Sequence, residues 1–390
     1  MYLSQYDINE RRLYVLSLML FIPILIDFTA TLLGGPNSTV TMLIYGLSFI
    51  YFVGYSVRKF TINNLLILII FYSTCIINTI LFNDTTQYMT DLAFLLVCFY
   101  YFPLSALIIY NITNWTRFFS IIRPIAIISI ICGLYIGYIQ GINLFSEDGL
   151  FSYMEFSYAL APMIIALYIN ARQNKRILDL IFSFLGFATI LIYGARAALG
   201  FMFIFIALYE LLIRKINIWT RIIIIIIALL LYLNLENIAT MLSSYDLFAN
   251  SRTILRFLNN ELLETDGRED IYMSCQQRIN TMGLEISGLF GDRKYCDGIY
   301  PHNFIYEILM SYGIILGNLI LVAMLALISS NMLKRKNNIN TLTLFFTTTL
   351  FARFFISGSY LIEGKFWIFL FALLSIARYQ PKHNEPQGIK

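Results

Sequence analysis

The sequence predicts an all-α polytopic membrane protein, with about twelve transmembrane helices and one large extracytoplasmic loop between the ninth and the tenth. Three observations lead there. Across 390 residues 59% are hydrophobic and 13% charged, with a mean hydropathy of +0.73, which is too apolar for a soluble domain. The apolar residues come in runs of span length. Lys and Arg gather at alternate turns between those runs, as the positive-inside rule requires of short loops.

Runs of roughly 17 to 25 apolar residues read as spans. In order they place helices near residues 13–33, 39–57, 64–82, 91–112, 124–140, 153–170, 177–193, 197–213, 218–238, 303–330, 341–360 and 364–379. The first run lacks a small-residue cleavage site and is expected to stay as a helix. With the N-terminus cytoplasmic, the inward turns carry Arg11, Arg12, Arg58, Lys59, Arg117, Arg123, Arg172, Lys175, Arg176, Arg214, Lys215, Arg221 and the Lys334-Arg335-Lys336 cluster. The short outer loops hold almost none, which puts both termini in the cytoplasm. The net charge of +4 says little beside that placement, and nucleic-acid binding finds no support.

Residues 239–301 form the long outer segment. Arg252, Arg256, Arg268, Arg278, Arg293 and Lys294 all lie in it, against the bias, while Arg196, Arg353 and Lys365 fall at an outer turn or within spans. From Asp270 to Met282 the spacing of Ile271, Cys275 and Ile279 reads as an amphipathic helix on the membrane surface. No repeat, low-complexity tract or soluble domain is evident. Residues 1–390 are therefore expected to be a single integral membrane domain, with 239–301 as a loop within it.

The stretch from Gly288 to Gly317 joins this loop to an apolar run at a histidine. Of the two histidines, His383 lies in a polar tail, whereas His302 sits where the loop meets the tenth helix. Pro301 can open a helix, which would put His302 and Asn303 in a first turn whose free N–H groups and dipole favour an anion. There a histidine stays unprotonated and can accept a proton; an interface histidine bonded to loop carbonyls is the alternative. Tyr306, four residues on, would share its helix face. Gly313 and Gly317 have a spacing that suits close helix packing.

Arg196 lies in Gly194-Ala195-Arg196-Ala197-Ala198, at a tight outer turn among small residues, where a substrate can approach closely. The alternative is a side chain snorkelling to lipid phosphate. Arg268, Arg278, Arg293 and Lys294 share the loop, and an Arg fork matches phosphate bidentately, so a converging set would suit a diphosphate. Arg252, Arg256 and Arg278 fit better as solvated or headgroup-facing charges. Asp27, Glu155, Glu307 and Arg353 are costly within spans and need an inward role. Glu155 is the candidate to line a substrate cleft, with a structural Arg partner as the other reading.

Metal chemistry has little support, because there is no HExxH, no CxxC set and no close aspartate pair. Cys75, Cys98 and Cys132 lie in spans as packing residues. Cys275 and Cys296 lie in the outer loop, where a disulfide and two free thiols both stay open.

The Gly-Ala-Arg turn, one large outer loop containing Gly267-Arg268, and Leu289-Phe290-Gly291-Asp292-Arg293 running to Tyr300-Pro301-His302-Asn303 and Glu307 resemble the O-antigen polymerase and ligase family. The last motif looks more like the polymerases than the ligases. The resemblance implies an inner-membrane glycosyltransferase that works on the periplasmic face without metal or cofactor. Its substrates would be undecaprenyl-diphosphate-linked oligosaccharides in a lipid membrane, its pathway partners a flippase and a chain-length regulator. Arg196 and Arg268 match the family's arginines and His302 its histidine, although Gly-Ala-Arg stands here where many members have Ser-Arg-Gly. The resemblance then implies catalytic roles for His302, Arg196 and Arg268. Substrate contacts are expected from Arg293, Arg278, Lys294, Tyr306, Glu155 and Asn303.

Two other functions fit parts of the pattern. An O-antigen ligase would share the fold and transfer finished glycan to lipid A core. A lipid-linked oligosaccharide flippase or transporter would concentrate polar groups at the midplane, whereas here they gather at the outer face.

Overall fold

A computed structural model of the chain describes residues 5–56, 61–140, 153–214, 217, 219, 222, 226, 233–245, 252–259, 268–296, 298–334 and 336–379. Among these residues all regular structure is helical. Eight helices are long and apolar enough to cross a membrane. They are α1 (Gln5–Leu32), α2 (Ser38–Ser56), α3 (Ile62–Leu81), α4 (Leu92–Ile109), α5 (Phe118–Gln140), α6 (Tyr153–Asn174), α8 (Arg196–Ile213) and α12 (Phe304–Met332). Between them, α7 (Ile177–Tyr193) is shorter but equally apolar. α9 (Leu235–Ser243), α10 (Arg252–Leu258) and α11 (Glu269–Met282) follow in the long segment, and α13 (Asn337–Phe346) and α14 (Gly364–Arg378) close the chain.

This set departs from twelve regular spans in four places: α7 and α14 fall short of span length, and two further stretches differ more. Residues 218–238 lie largely outside the described residues. The expected span over 341–360 is not one helix: after α13 the chain passes through a wide π turn, Thr347–Phe351, and a tight turn, Ala352–Phe355, before going non-helical up to Gly364. Thr347, Thr348 and Thr349 are β-branched and offer hydroxyls that compete for backbone carbonyls, and Thr348 and Thr349 bond back to Leu344 and Phe345, a pattern that weakens helix continuation. The chain is thereby freed to turn through the core.

Local chemistry sets the helix ends. Thr61 caps α3 through Asn64, whose amide also donates to the Ala106 carbonyl at 2.6 Å and fastens α3 to α4. Gly194, left-handed at φ 75°, ends α7, and Arg196 opens α8 two residues later. At other helix ends ion pairs tie neighbours together: Arg123 with Asp179 at 2.7 Å, and Arg172 and Arg214 with Glu210 at 2.7 and 2.9 Å.

α11 carries the expected stripe, but protein covers it. Cys275 is fully buried against Cys296 and Met310 of α12, with Ile271, Ile279, Tyr295 and Tyr306 around them. The loop after α11 then enters the bundle. Gly288 N–H donates to the Ser311 carbonyl at 2.9 Å, Leu289 N–H to the Asn78 side chain at 2.6 Å, and Phe290 packs edge-on to Phe94 at 5.1 Å. α12 yields to admit it. Gly313 leaves helical geometry at φ 74°, and a Cβ there would lie 2.7 Å from the Glu285 carbonyl oxygen. The Gly313 and Gly317 spacing thus marks a kink holding a loop, where close packing of two straight helices was expected.

Candidate functional site

The tenth expected span begins later than Pro301 suggests. Asn303 is the N-cap, its side-chain oxygen accepting from Ile305 and Tyr306 N–H at 3.0 and 3.4 Å, and the helix starts at Phe304. His302 is therefore not in a first turn. It sits outside the helix in a left-handed conformation at φ 52°, which is uncommon for a residue with a Cβ. Phe304 anchors the junction from below, with its ring 5.1 Å from that of Phe351 and 5.6 Å from that of Phe366.

The His302 ring lies 4.2 Å from that of Tyr300, and its Nδ1 is buried with no hydrogen-bond partner among the described residues. Burial first, then the positive charges of Arg268 and Arg293, press its pKa down to about 4. The imidazole is neutral at pH 7 with a lone pair available. The sequence assigned that neutrality to a helix dipole. In the structure burial and two guanidinium groups supply it.

Arg268 stands at the start of α11 and donates through Nη1 to the Ile356 carbonyl in the non-helical segment after α13. Its field reaches both His302 and Tyr158 of α6. Arg196, half-buried, opens α8, which packs against the Ala352–Phe355 turn just before Ile356. Arg268 and His302 are thus brought together, whereas Arg196 is linked to them only through the packing of α8 on this turn.

The substrate-contact candidates divide. Arg293 is turned inward with 4% exposure; it pairs with Asp292, donates to Ser359 Oγ at 3.2 Å, and lies 4.0 Å from Glu307. Burial raises the Asp292 carboxyl although Arg293 draws it down. Ser359 donates to Glu307 in turn, and the guanidinium lies 5.2 Å over the ring of Tyr300. Arg293 therefore holds the loop that carries His302. Arg278 is spent on Glu285 at 2.6 Å and on the face of Tyr295. Lys294 is 63% exposed, 3.5 Å from Asp84, a surface pair of little energetic weight. Tyr306 packs edge-on to Tyr272 at 5.7 Å, and Asn303 is engaged as the cap.

Glu155 has the arginine partner that was one of its two readings. Arg353, 1% exposed, grips it at 2.5 and 3.2 Å, reaches Glu363 at 3.0 Å, and lies 4.3 Å over the ring of Tyr158. Lys365 adds a contact at 3.8 Å. Glu363 and Ser359 were missed by the sequence reading. The signal for Glu363 was a charged Glu-Gly-Lys opening an apolar run, which is costly unless it faces a cavity or a partner; Ser359 carried none. Cys275 and Cys296 face each other with sulfurs 3.2 Å apart as buried thiols. Among the described residues no group of three or more His, Cys, Asp or Glu could hold a metal ion.

No family model, curated protein or solved structure matches the chain. The functional reading therefore rests on the residues and their geometry.

Proposed function

We propose that the chain is an O-antigen polymerase with about twelve spans, joining undecaprenyl-diphosphate-linked oligosaccharide repeats on the periplasmic face of the inner membrane, with both termini cytoplasmic. The observation that carries the reading is a neutral, partly buried His302 with an unpartnered Nδ1 in the field of Arg268. A transporter has no need of that pairing. A glycosyl transfer between diphosphate-linked substrates does.

In the reaction the acceptor sugar's hydroxyl oxygen attacks the anomeric carbon of the donor. The bond from that carbon to the diphosphate breaks, its electron pair leaves on undecaprenyl diphosphate, and the hydroxyl proton passes to His302. Arg268 and Arg196 hold the diphosphate and stabilise the charge gathering on it. A histidine with so low a pKa is a weak base by itself. Docking of the anionic diphosphate offsets Arg268 and raises the pKa of His302, so the neutral imidazole becomes a stronger base when the donor is in place. Positioning supplies much of the remainder, since diphosphate is a good leaving group.

A deletion strain tests the reading. Loss of a polymerase leaves one repeat unit on lipid A core, because the ligase remains, and that is the gel pattern expected. Bare core with lipid-linked polymer accumulating would assign the chain to the ligases.

A further inference from the structure

A cavity of about 280 Å³ opens between α1, α2, α4, α6 and α14. Asp27, Glu155 and Glu363 line it together with Lys365, and Tyr45 and Tyr101 join their hydroxyls in its wall at 3.1 Å. Part of this charge is committed: Arg353 holds Glu155 and Glu363 from behind, and Lys365 lies 3.8 Å from Glu155. The rest is not. The Asp27 carboxylate has no hydrogen bond among the described residues, and Glu363 Oε2 is buried without one. Glu363 Oε2 is enclosed by protein, whereas the half-buried Asp27 carboxylate lines the cavity and is open to a donor there.

The charge balance selects the ligand. Asp27, Glu155 and Glu363 against Lys365 and the Arg353 behind them leave one negative charge in excess, which disfavours a phosphate or an acidic sugar and favours hydroxyl and ammonium donors. Size selects it too, since the volume lies just under the roughly 300 to 1,000 Å³ of small-ligand pockets, enough for one sugar ring and too little for an oligosaccharide. We infer that this cavity is a sugar subsite for a single neutral or amino-bearing pyranose, whose hydroxyls donate to Asp27 and whose apolar face rests on the tyrosines. Its use as the seat of the acceptor sugar rests on the polymerase reading; binding itself does not. The diphosphates would then lie over Arg268, on the cationic side, and the sugar on the acidic side.

Saturation-transfer NMR on the full chain in nanodiscs tests this, with D-glucose, D-glucosamine and D-glucuronate as probes. Signal is expected on the first two and not on the third. Asp27→Asn, isosteric and outside the ion-pair network, should weaken it about tenfold, the scale of a lost hydrogen bond to a charge. Ala159→Phe, which fills the cavity without touching a charge, should do the same, and His302→Ala should leave binding intact. No signal with glucose or glucosamine, equal signal with glucuronate, or unchanged signal in Asp27→Asn and Ala159→Phe overturns the subsite. Sugar binding in a protein whose deletion leaves glycan length unaltered would remove the polymerase reading and keep the subsite.

Discussion

The ring of Tyr300 lies 4.2 Å from that of His302, and the buried Arg293 lies 5.2 Å over the same tyrosine. The histidine is thus placed through a stack rooted in the Asp292, Glu307 and Ser359 network. Neighbouring cations should then differ sharply. Arg293→Met leaves buried carboxylates without their partner and should cost about 3–5 kcal/mol, whereas Lys294→Met, at an exposed pair, should cost less than about 1 kcal/mol. Thermal unfolding of both variants in one detergent checks it; equal midpoints would contradict the assignment.

His302 should titrate far below an ordinary histidine. In a His383→Gln background, its modification rate by diethyl pyrocarbonate should fall with a midpoint near pH 4. Removing a nearby cation favours the protonated form, so Arg268→Gln should move the midpoint up. Inorganic pyrophosphate should do the same in the protein that retains Arg268. A midpoint near 6.5 that ignores both changes would refute the coupling.

Gly313 is expected to resist substitution. Gly313→Ala combines a strained φ of 74° with a Cβ 2.7 Å from the Glu285 carbonyl oxygen, and should cost about 1–3 kcal/mol. Trypsin should then cut the loop after α11 faster. Unchanged cutting would mean the loop does not need the kink.

The paired thiols of Cys275 and Cys296, 3.2 Å apart, should resist alkylation in the folded protein and join under a mild oxidant. Closing that segment should add about 3 kcal/mol in the chain-entropy model. Rapid alkylation of both without denaturant would show that α11 is not packed as described.

Much of the bundle was legible because hydrocarbon imposes long apolar runs, and α1 through α8 overlap their expected ranges, although α1 and α5 begin earlier, at Gln5 and Phe118. The stripe of Ile271, Cys275 and Ile279 was legible as well, though not what covers it. The break after α13 was not, since apolar composition hides whether threonine hydroxyls bond back to the helix. At the site, residue types pointed to His302, Arg268 and Arg196. They could not separate Arg293, buried at 4% exposure, from its neighbour Lys294 at 63%. That difference is tertiary, set by how the loop folds into the bundle. The Asp27, Glu155, Glu363 and Lys365 cavity was unread for the same reason, as its residues come from distant parts of the chain.

The central claim is that His302 takes the acceptor's proton beside arginine-held diphosphate. It is tested most directly by glycan length in the deletion strain carrying His302→Ala, Arg268→Lys or Arg196→Lys, each at a protein level matched to wild type. The account predicts a single repeat unit on core in all three, because lysine keeps the charge but lacks the bidentate fork. A full-length glycan ladder from His302→Ala would contradict it.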